Sequence, residues 1–286
     1  MTSRAEQIAA AFTWACLAEL DAPKPGNVHV FAAGHRMTAE AFVASADAAA
    51  PAISAEGIRV GARILGAVEA TFAAVGANTN LGIILLCAPL AAAAASAGTD
   101  LRASLGNVLA DLDTDDAALA FRAVVRAAPA GLGHSARHSV YAPATVGLLE
   151  AMTEAADRDR VARQYATNFA DVFDLGLPLL EEGRHHADPK WSTLTAYLGF
   201  LSAFPDSHIL RKYDAATAEK VRRTAATQFA SLRTAKHPAE LLPELLAWDA
   251  ALKAEGLNPG TSADLTVATL FAHRLQTILP SLRNSD

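Results

Sequence analysis

The fold class follows from NTNLGIILLCAPLAAAAASAG, residues 78–98. From Leu81 to Gly98 there is no charged side chain for about 18 residues, the lower limit for crossing a membrane. The stretch is mostly alanine, contains Pro89, and lacks the flanking Lys, Arg and aromatic residues of a transmembrane segment. A helix that is apolar on every side is usually buried. We therefore predict a central helix enclosed by other helices, and no membrane span.

The rest of the chain repeats the helical pattern. Apolar side chains such as Val161, Tyr165 and Phe169 recur every four residues, and Ala, Leu, Glu, Arg and Gln, which favour helices, dominate. Only VHVF, residues 28–31, resembles a strand. We predict an all-α fold, a single multi-helix globular domain over residues 1–286. The predicted helices run near 38–50, 54–76, 79–97, 101–110, 115–127, 141–155, 157–183, 190–203, 214–235, 237–255 and 262–279.

Composition excludes several classes of protein. The 286 residues are 52% hydrophobic and 19% charged, which is too apolar for a disordered chain. The net charge is -6 and only 6% of residues are aromatic, which argues against nucleic acid as a partner. Cys16 and Cys87 lie in apolar stretches and predict buried thiols rather than a disulfide framework. The N-terminus is amphipathic and has no apolar signal core, so we expect a cytoplasmic protein.

Two partial motifs fail their context test. GLGHSA, residues 131–136, spells a dinucleotide-binding loop, but no strand precedes it. DLDTDD, residues 111–116, begins like a calcium loop, yet Asp116 replaces the turn glycine and Arg122 replaces the bidentate glutamate. We interpret the second segment as a solvated helix start. Ser3 followed by Glu6 similarly predicts a capping box for the first helix.

Polar side chains concentrate instead in the breaks between helices. Lys24, Asn27 and His29 surround a Pro-Gly turn, where a lysine can meet a phosphate and a glycine lets backbone amides approach. Residues 78–80 begin the apolar helix, whose free amides suit an anion. A plain turn and an ordinary helix cap are the alternatives for these two segments.

Four further clusters share this character. They are GHSARHSV (133–140) with His134, Arg137 and His138; FPDSHILRKY (204–213) with Asp206, His208, Arg211 and Lys212; NPGTSADL (258–265) with Gly260, Ser262 and Asp264; and the stripe Gln164, Asn168 and Asp171. Asp-x-His can bind a metal or transfer a proton, and Arg-Lys suits phosphate. The stripe alone is typical of a solvated helix face, and NPGTSADL alone is typical of a turn followed by a helix cap. His185 and His186 we interpret as loop residues. Together the clusters indicate a polyphosphate site with Mg²⁺ held by few carboxylates.

The ordered motifs identify a family. KPGNVH, GH-x-M, F-x-x-SA (42–46), NTNLGIILLCAPL, GLG…RH-x-V, RDRVARQYATNFADVFDLGLPLL, D-x-H-I-x-RK and NPGTSADL-x-x-ATLF resemble the triphosphoribosyl-dephospho-CoA synthase family over residues 19–275. The resemblance implies a helical enzyme that moves the triphosphoribosyl unit of ATP to the ribose 2′-hydroxyl of 3′-dephospho-CoA and releases adenine. ATP and this acceptor are the expected partners, and Mg²⁺ is expected with ATP.

The resemblance also implies site residues. Asp206 is the first candidate for base or metal ligand, His208 the second candidate base, and Asp171 a catalytic or metal-binding carboxylate. The expected substrate-binding residues are Lys24, Asn27, His29, Asn78, Thr79, Asn80, Arg137, His138, Arg211, Lys212, Gly260, Ser262 and Asp264.

Three departures from the family pattern leave alternatives open. Arg36 and Ser139 stand where the family commonly has carboxylates, and NTNLG replaces a His-Lys spelling. A diverged branch could transfer a ribosyl or phosphoribosyl group to a methanopterin-type or methanofuran-type precursor. A helical protein that binds the nucleotide without turnover is the non-enzymatic alternative. A homodimer is also an expectation.

Overall fold

Helices dominate the computed structural model, which describes residues 2–34, 37–96, 98–129 and 137–282. Within these ranges VHVF is not a strand, since His29 and Ala32 form only an isolated bridge. The all-α prediction is therefore confirmed. The α-helices are α1 (Arg4–Leu20), α2 (Ala39–Ser54), α3 (Val60–Val75), α4 (Leu81–Ala95), α5 (Leu101–Ala110), α6 (Thr114–Ala127), α7 (Leu148–Ala155), α8 (Arg160–Ala166), α9 (Leu177–Glu182), α10 (Pro189–Ala203), α11 (Ser207–Lys212), α12 (Ala215–Thr234), α13 (Leu242–Ala254) and α14 (Gly260–Leu282).

Helix α4 is the central helix that the sequence predicts. Most of its side chains are buried, and it packs against α1, α2, α3, α5 and α14. Pro89 has no N–H for the carbonyl of Leu85, one turn earlier, and the Tyr165 hydroxyl donates to that oxygen instead at 2.6 Å. No helix in the described part of the chain has the length and apolar character to cross a membrane. Cys87 is buried in α4, Cys16 is half-buried in α1, and both are free thiols.

A second hydrophobic cluster forms around α10, α12 and α13. Trp191, Leu194 and Tyr197 of α10 pack there, while Phe200 and Phe204 join the cluster around α4. Helix α10 therefore belongs to both clusters, which is why nearly all of its central side chains are buried.

The predicted long helix over residues 157–183 is wrong. After α8 the backbone enters the left-handed region at Asn168 and Phe169, with φ of 49° and 56°. The Gln164 side chain accepts from the Asp171 N–H at 3.2 Å, so a side chain replaces the helical carbonyl. The chain continues as a π-helix over Asp171–Gly176, then α9, then a 3₁₀ turn over Gly183–His185.

Other boundaries differ less. Helix α7 begins at Leu148 rather than near 141, and the short α11 occupies a segment that we predicted as a break. The predicted capping box of Ser3 and Glu6 is confirmed, and the helix start predicted in DLDTDD is present, with a second capping box formed by Asp113 and Asp116. Asp116 is not solvated, however, because it is buried and pairs with Arg59 at 2.6 Å.

The loop after α1 is fixed to α13 and to the start of α14. Gly26 has φ of +82°, and a Cβ there would lie 2.8 Å from Pro259. Its N–H donates to Asp249 Oδ1 at 2.8 Å. Lys253 bridges Asp249 and the carbonyl of Ala32, at 2.8 and 3.1 Å. These contacts bring the loops of two distant sequence segments to one wall of the cavity described next.

Candidate active site

A cavity of about 820 Å³ opens at the N-terminal end of α4. Its volume is within the range of small-molecule sites. It is bordered by the starts of α4, α8, α11 and α14, by α6 and α7, and by the end of α1. Nine of the predicted site residues line it, namely Asn27, Asn78, Thr79, Arg137, His138, His208, Arg211, Gly260 and Asp264.

The cavity has an apolar part and a polar part. Leu85, Phe121, Leu148, Met152 and Val161 form the apolar wall, between α4, α6, α7 and α8. The end of α1, the helix α11, the start of α14 and the loops beside them supply the polar groups. One cavity can therefore hold a flat or extended apolar group and an anionic group together.

Asp264 is the carboxylate at the polar end that is best placed for chemistry. It lies near the start of α14 and faces Gly82 of α4, where a Cβ would be only 2.0 Å from Asp264 Oδ2. It accepts no hydrogen bond from the described residues. Burial raises the pKa of Asp264 well above its ordinary value, the negative charges of Asp206 and Glu19 raise it further, and Arg211 opposes the shift.

Glu19 is a second carboxylate on the cavity wall, at the end of α1. It is 4% exposed, and Lys24 Nζ lies 3.1 Å from its Oε1. Lys24 itself is 0% exposed, donates to the Val28 carbonyl at 2.7 Å, and does not line the cavity. The cation that the sequence predicts to meet phosphate thus lies one layer behind the surface. Burial raises the pKa of Glu19 and lowers that of Lys24.

Of the neighbouring loop residues, Asn27 lies on the cavity surface and His29 lies behind it. Asn27 lines the cavity and donates to Asn258 Oδ1 at 2.9 Å. His29 is buried away from the lining, and its Nε2 lies 3.4 Å from Asp249. Burial lowers the pKa of His29. The predicted binding role of His29 would therefore be indirect, through the position of the loop.

The loop before α4 is held by the F-x-x-SA motif. Thr79 donates to Ser45 Oγ at 2.6 Å, and Asn80 donates to the Ser45 carbonyl at 3.5 Å. Asn78 Oδ1 accepts from the Leu81 N–H at 3.2 Å. Asn78 and Thr79 face the cavity, whereas Asn80 is buried outside its lining.

Asp206 and Ser262 form a buried tie between α11 and α14. Asp206 Oδ1 accepts from the N–H groups of His208 and Ile209 at 2.9 and 3.3 Å. Its Oδ2 accepts from the Ser262 N–H and hydroxyl, both at 2.8 Å. Neither residue lines the cavity. The tie holds in place His208, Arg211 and Asp264, which line the cavity.

Asp171 also lies outside the lining. Arg160 binds both of its oxygens, at 2.7 and 2.9 Å, and Gln164 donates to Oδ2. A metal-binding role for Asp171 and Asp206 remains a prediction, and these hydrogen bonds would have to break for it. In the described ranges no three His, Cys, Asp or Glu side chains are grouped to hold a metal.

Basic and histidine side chains also line the cavity. Arg211 pairs with Asp159 at 2.8 Å, and Arg137 lies 3.7 Å from Glu154. His138 has a left-handed backbone with φ of 49°, and its buried Nε2 has no hydrogen-bond partner among the described residues. Lys212 is exposed and points to the Gly256 carbonyl, so it does not join them. His134 and Arg36 lie outside the described residues.

Glu19, Arg158 and Asn258 line the cavity although we did not predict them. A signal for Glu19 exists in the sequence. Ile8, Phe12, Ala15 and Glu19 lie on one helical stripe, so Glu19 occupies an apolar position.

The fold and the cavity define a helical protein with a large site that suits a ligand which is part apolar and part anionic. The family model described as ATP:dephospho-CoA triphosphoribosyl transferase (CitG) matches residues 5–281, and the chain belongs to this family. It is therefore a transferase that moves the triphosphoribosyl group of ATP to dephospho-CoA. The predicted resemblance is confirmed.

A crystal structure described as a triphosphoribosyl-dephospho-CoA synthase from Archaeoglobus fulgidus shares this fold. It has a TM-score of 0.61 and 24% sequence identity, and the match covers 80% of this chain and 96% of that one. No functionally curated protein sequence matches this chain.

Proposed function

We propose that the cavity at the start of α4 is the site of triphosphoribosyl transfer, with Asp264 as the base that accepts the proton of the attacking hydroxyl. The observation that carries this proposal is the position of Asp264. Its carboxylate lines the cavity, accepts no hydrogen bond from the described residues, and has a pKa raised by burial. A base with a raised pKa takes a proton more readily in the transition state.

The reaction requires one bond to form and one to break. The acceptor 2′-oxygen bonds to C1′ of the ATP ribose while the bond from C1′ to adenine N9 breaks, through an oxocarbenium-like state. The hydroxyl proton passes to Asp264. Because positive charge develops on the ribose, a carboxylate beside it also stabilises that state electrostatically.

The charges around the polar end suggest how ATP is oriented. Arg137, Arg158 and Arg211 line the cavity, and guanidinium groups bind phosphate oxygens in pairs. We place the triphosphate there, beside the Asn78–Thr79 loop. The apolar wall of Leu85, Phe121 and Met152 then offers contact for a nucleobase or for the acceptor's arm.

We further propose that Mg²⁺ enters as part of the ATP complex. Mg²⁺ is commonly held by one or two carboxylates together with substrate phosphates. The carboxylates of Asp206 and Asp171 are already engaged by Ser262 and Arg160, which favours a metal carried mainly by the triphosphate. A cytoplasmic location and a homodimer remain predictions.

The direct test measures the release of adenine. Purified protein is incubated with Mg²⁺, ATP and dephospho-CoA, adenine is quantified by chromatography, and the mass of the product is determined by mass spectrometry. We expect adenine in equal amount to triphosphoribosyl-dephospho-CoA, and a loss of about 100-fold or more in Asp264→Asn. Glu56→Gln, an exposed loop carboxylate, is the matched control and retains the wild-type rate.

The proposal is contradicted if ADP is released instead of adenine. It is also contradicted if the rate of adenine release does not depend on dephospho-CoA. Adenine release that depends only on another acceptor reassigns the acceptor. Wild-type turnover in Asp264→Asn removes Asp264 as the base.

A further inference from the structure

Glu19 and Lys24 form a buried couple that has no role in the transfer chemistry proposed above. Their carboxylate oxygen and amine nitrogen are 3.1 Å apart, yet Glu19 Oε1 has no aligned hydrogen-bond donor in the described part of the chain. The amine directs a hydrogen bond to the Val28 carbonyl instead, at 2.7 Å. A buried carboxylate that lacks a hydrogen-bond donor is destabilised in its charged form, which favours the protonated form.

The couple has one open side. Glu19 lines the cavity and Lys24 does not, so the carboxyl group faces any bound ligand while the amine is enclosed by protein. The burial that disfavours the carboxylate also disfavours the ammonium, which makes this couple a store for one exchangeable proton at the cavity wall.

Adenine cannot leave efficiently as an anion. When the bond from C1′ to N9 breaks, the electron pair stays on the purine, and protonation of a ring nitrogen makes it a neutral leaving group. Asp264 takes up a proton on the other side of the reaction, so a different group must supply one to the purine.

We propose that Glu19 is the general acid that protonates the departing adenine, and that it carries for this step the proton that it shares with Lys24. This inference rests on the proposed function of the cavity. The step balances: the acceptor hydroxyl loses one proton to Asp264, the purine gains one from Glu19, and proton return from Asp264 to Glu19 resets both groups. No oxidant, reductant or further reactant is consumed.

The position of the two carboxylates agrees with this division of roles. Glu19 ends α1 and Asp264 begins α14, helices that pack along each other beside α4. Each carboxylate lines the same cavity, and the charge of Glu19 acts on Asp264. Two carboxyl groups that influence each other favour different protonation states, as an acid and a base require.

The test compares leaving groups. Glu19→Gln keeps the shape and removes the acid, and it is assayed with ATP and with an ATP analogue methylated at adenine N7, whose purine leaves without needing a proton. We expect turnover of ATP to fall by about 100-fold or more, while turnover of the methylated analogue stays within about fivefold of wild type. Lys24→Met, which removes the proton partner, is expected to show the same selective loss.

The controls separate this inference from the proposed function. Glu56→Gln is expected to match wild type with both substrates, and circular dichroism with thermal unfolding shows whether Glu19→Gln folds. The role of Glu19 is overturned if Glu19→Gln loses turnover equally with both substrates. It is also overturned if Glu19→Gln turns over ATP at the wild-type rate. Absence of adenine release from the wild-type protein overturns the proposed function instead. If Lys24→Met does not fold, the Glu19→Gln comparison alone decides.

Discussion

Gly82→Ala is the sharpest perturbation of the proposed base. The new methyl group would lie 2.0 Å from Asp264 Oδ2 and 2.5 Å from its Cγ, whereas an ordinary contact begins at 3.4 Å. The carboxylate must therefore move by about 1.4 Å. A displacement of roughly 1 Å at a reacting group can lower the rate about 100-fold. We expect the rate of adenine release to fall by that factor.

The same change should not weaken the helix. Alanine is favoured over glycine in helices by about 0.5–1 kcal/mol, so folding is not expected to suffer beyond the displaced carboxylate. Gly106→Ala in α5 is the matched control, because its new methyl group would meet nothing closer than 3.5 Å. That variant is expected to gain stability slightly and keep wild-type turnover.

Adenine release and urea unfolding, measured on both variants, test this reasoning. A Gly82→Ala protein that is folded and slow while Gly106→Ala is folded and fast agrees with it. Wild-type turnover of Gly82→Ala would refute it, because the carboxylate would then not need the position that Gly82 permits.

Three further predictions concern charge. Burial raises the pKa of Asp264, so kcat/KM should rise with pH through a value well above the ordinary aspartate pKa, and a rise centred near pH 4 would contradict the assignment. Arg211→Ala should raise the KM for ATP about tenfold with kcat nearly unchanged, and an unaltered KM would remove Arg211 from the phosphate site. Burial would raise the pKa of Asp249, but the nearby His29 ring and hydrogen bonds from Lys253 and the Gly26 N–H lower it overall. The stability that ionised Asp249 contributes is therefore present above its unfolded-state pKa of about 3.9 and is lost as the pH falls through its lower folded-state pKa. Asp249→Asn should remove this part of the pH dependence of unfolding in urea. Unchanged pH dependence in that variant would show that Asp249 does not fix the loop.

The central helix could be predicted because its composition permits few environments. Eighteen uncharged residues without membrane anchors leave burial as the stable solution. The break after α8 could not be predicted from periodicity. It depends on the Gln164 side chain taking the place of a backbone carbonyl, and on Asn168 and Phe169 accepting a left-handed backbone.

Site residues at helix starts were partly predictable. Asn78, Thr79 and Asp264 follow turns and precede apolar runs, and the structure places all three on the cavity. Lys24 and Asp206 were harder, because a loop lysine and an Asp-x-His sequence look the same whether they face a ligand or support one. Packing of distant segments decides: the loop after α1 folds onto α13 and encloses Lys24, and α14 supplies two donors to Asp206.

The most direct measurement is a crystal structure of Asp264→Asn with ATP and dephospho-CoA. We predict the triphosphate beside Arg137 and Arg211, with C1′ of ATP and the acceptor 2′-oxygen both within reach of residue 264. A nucleotide bound outside the cavity, or bound with its ribose away from that position, would contradict the account.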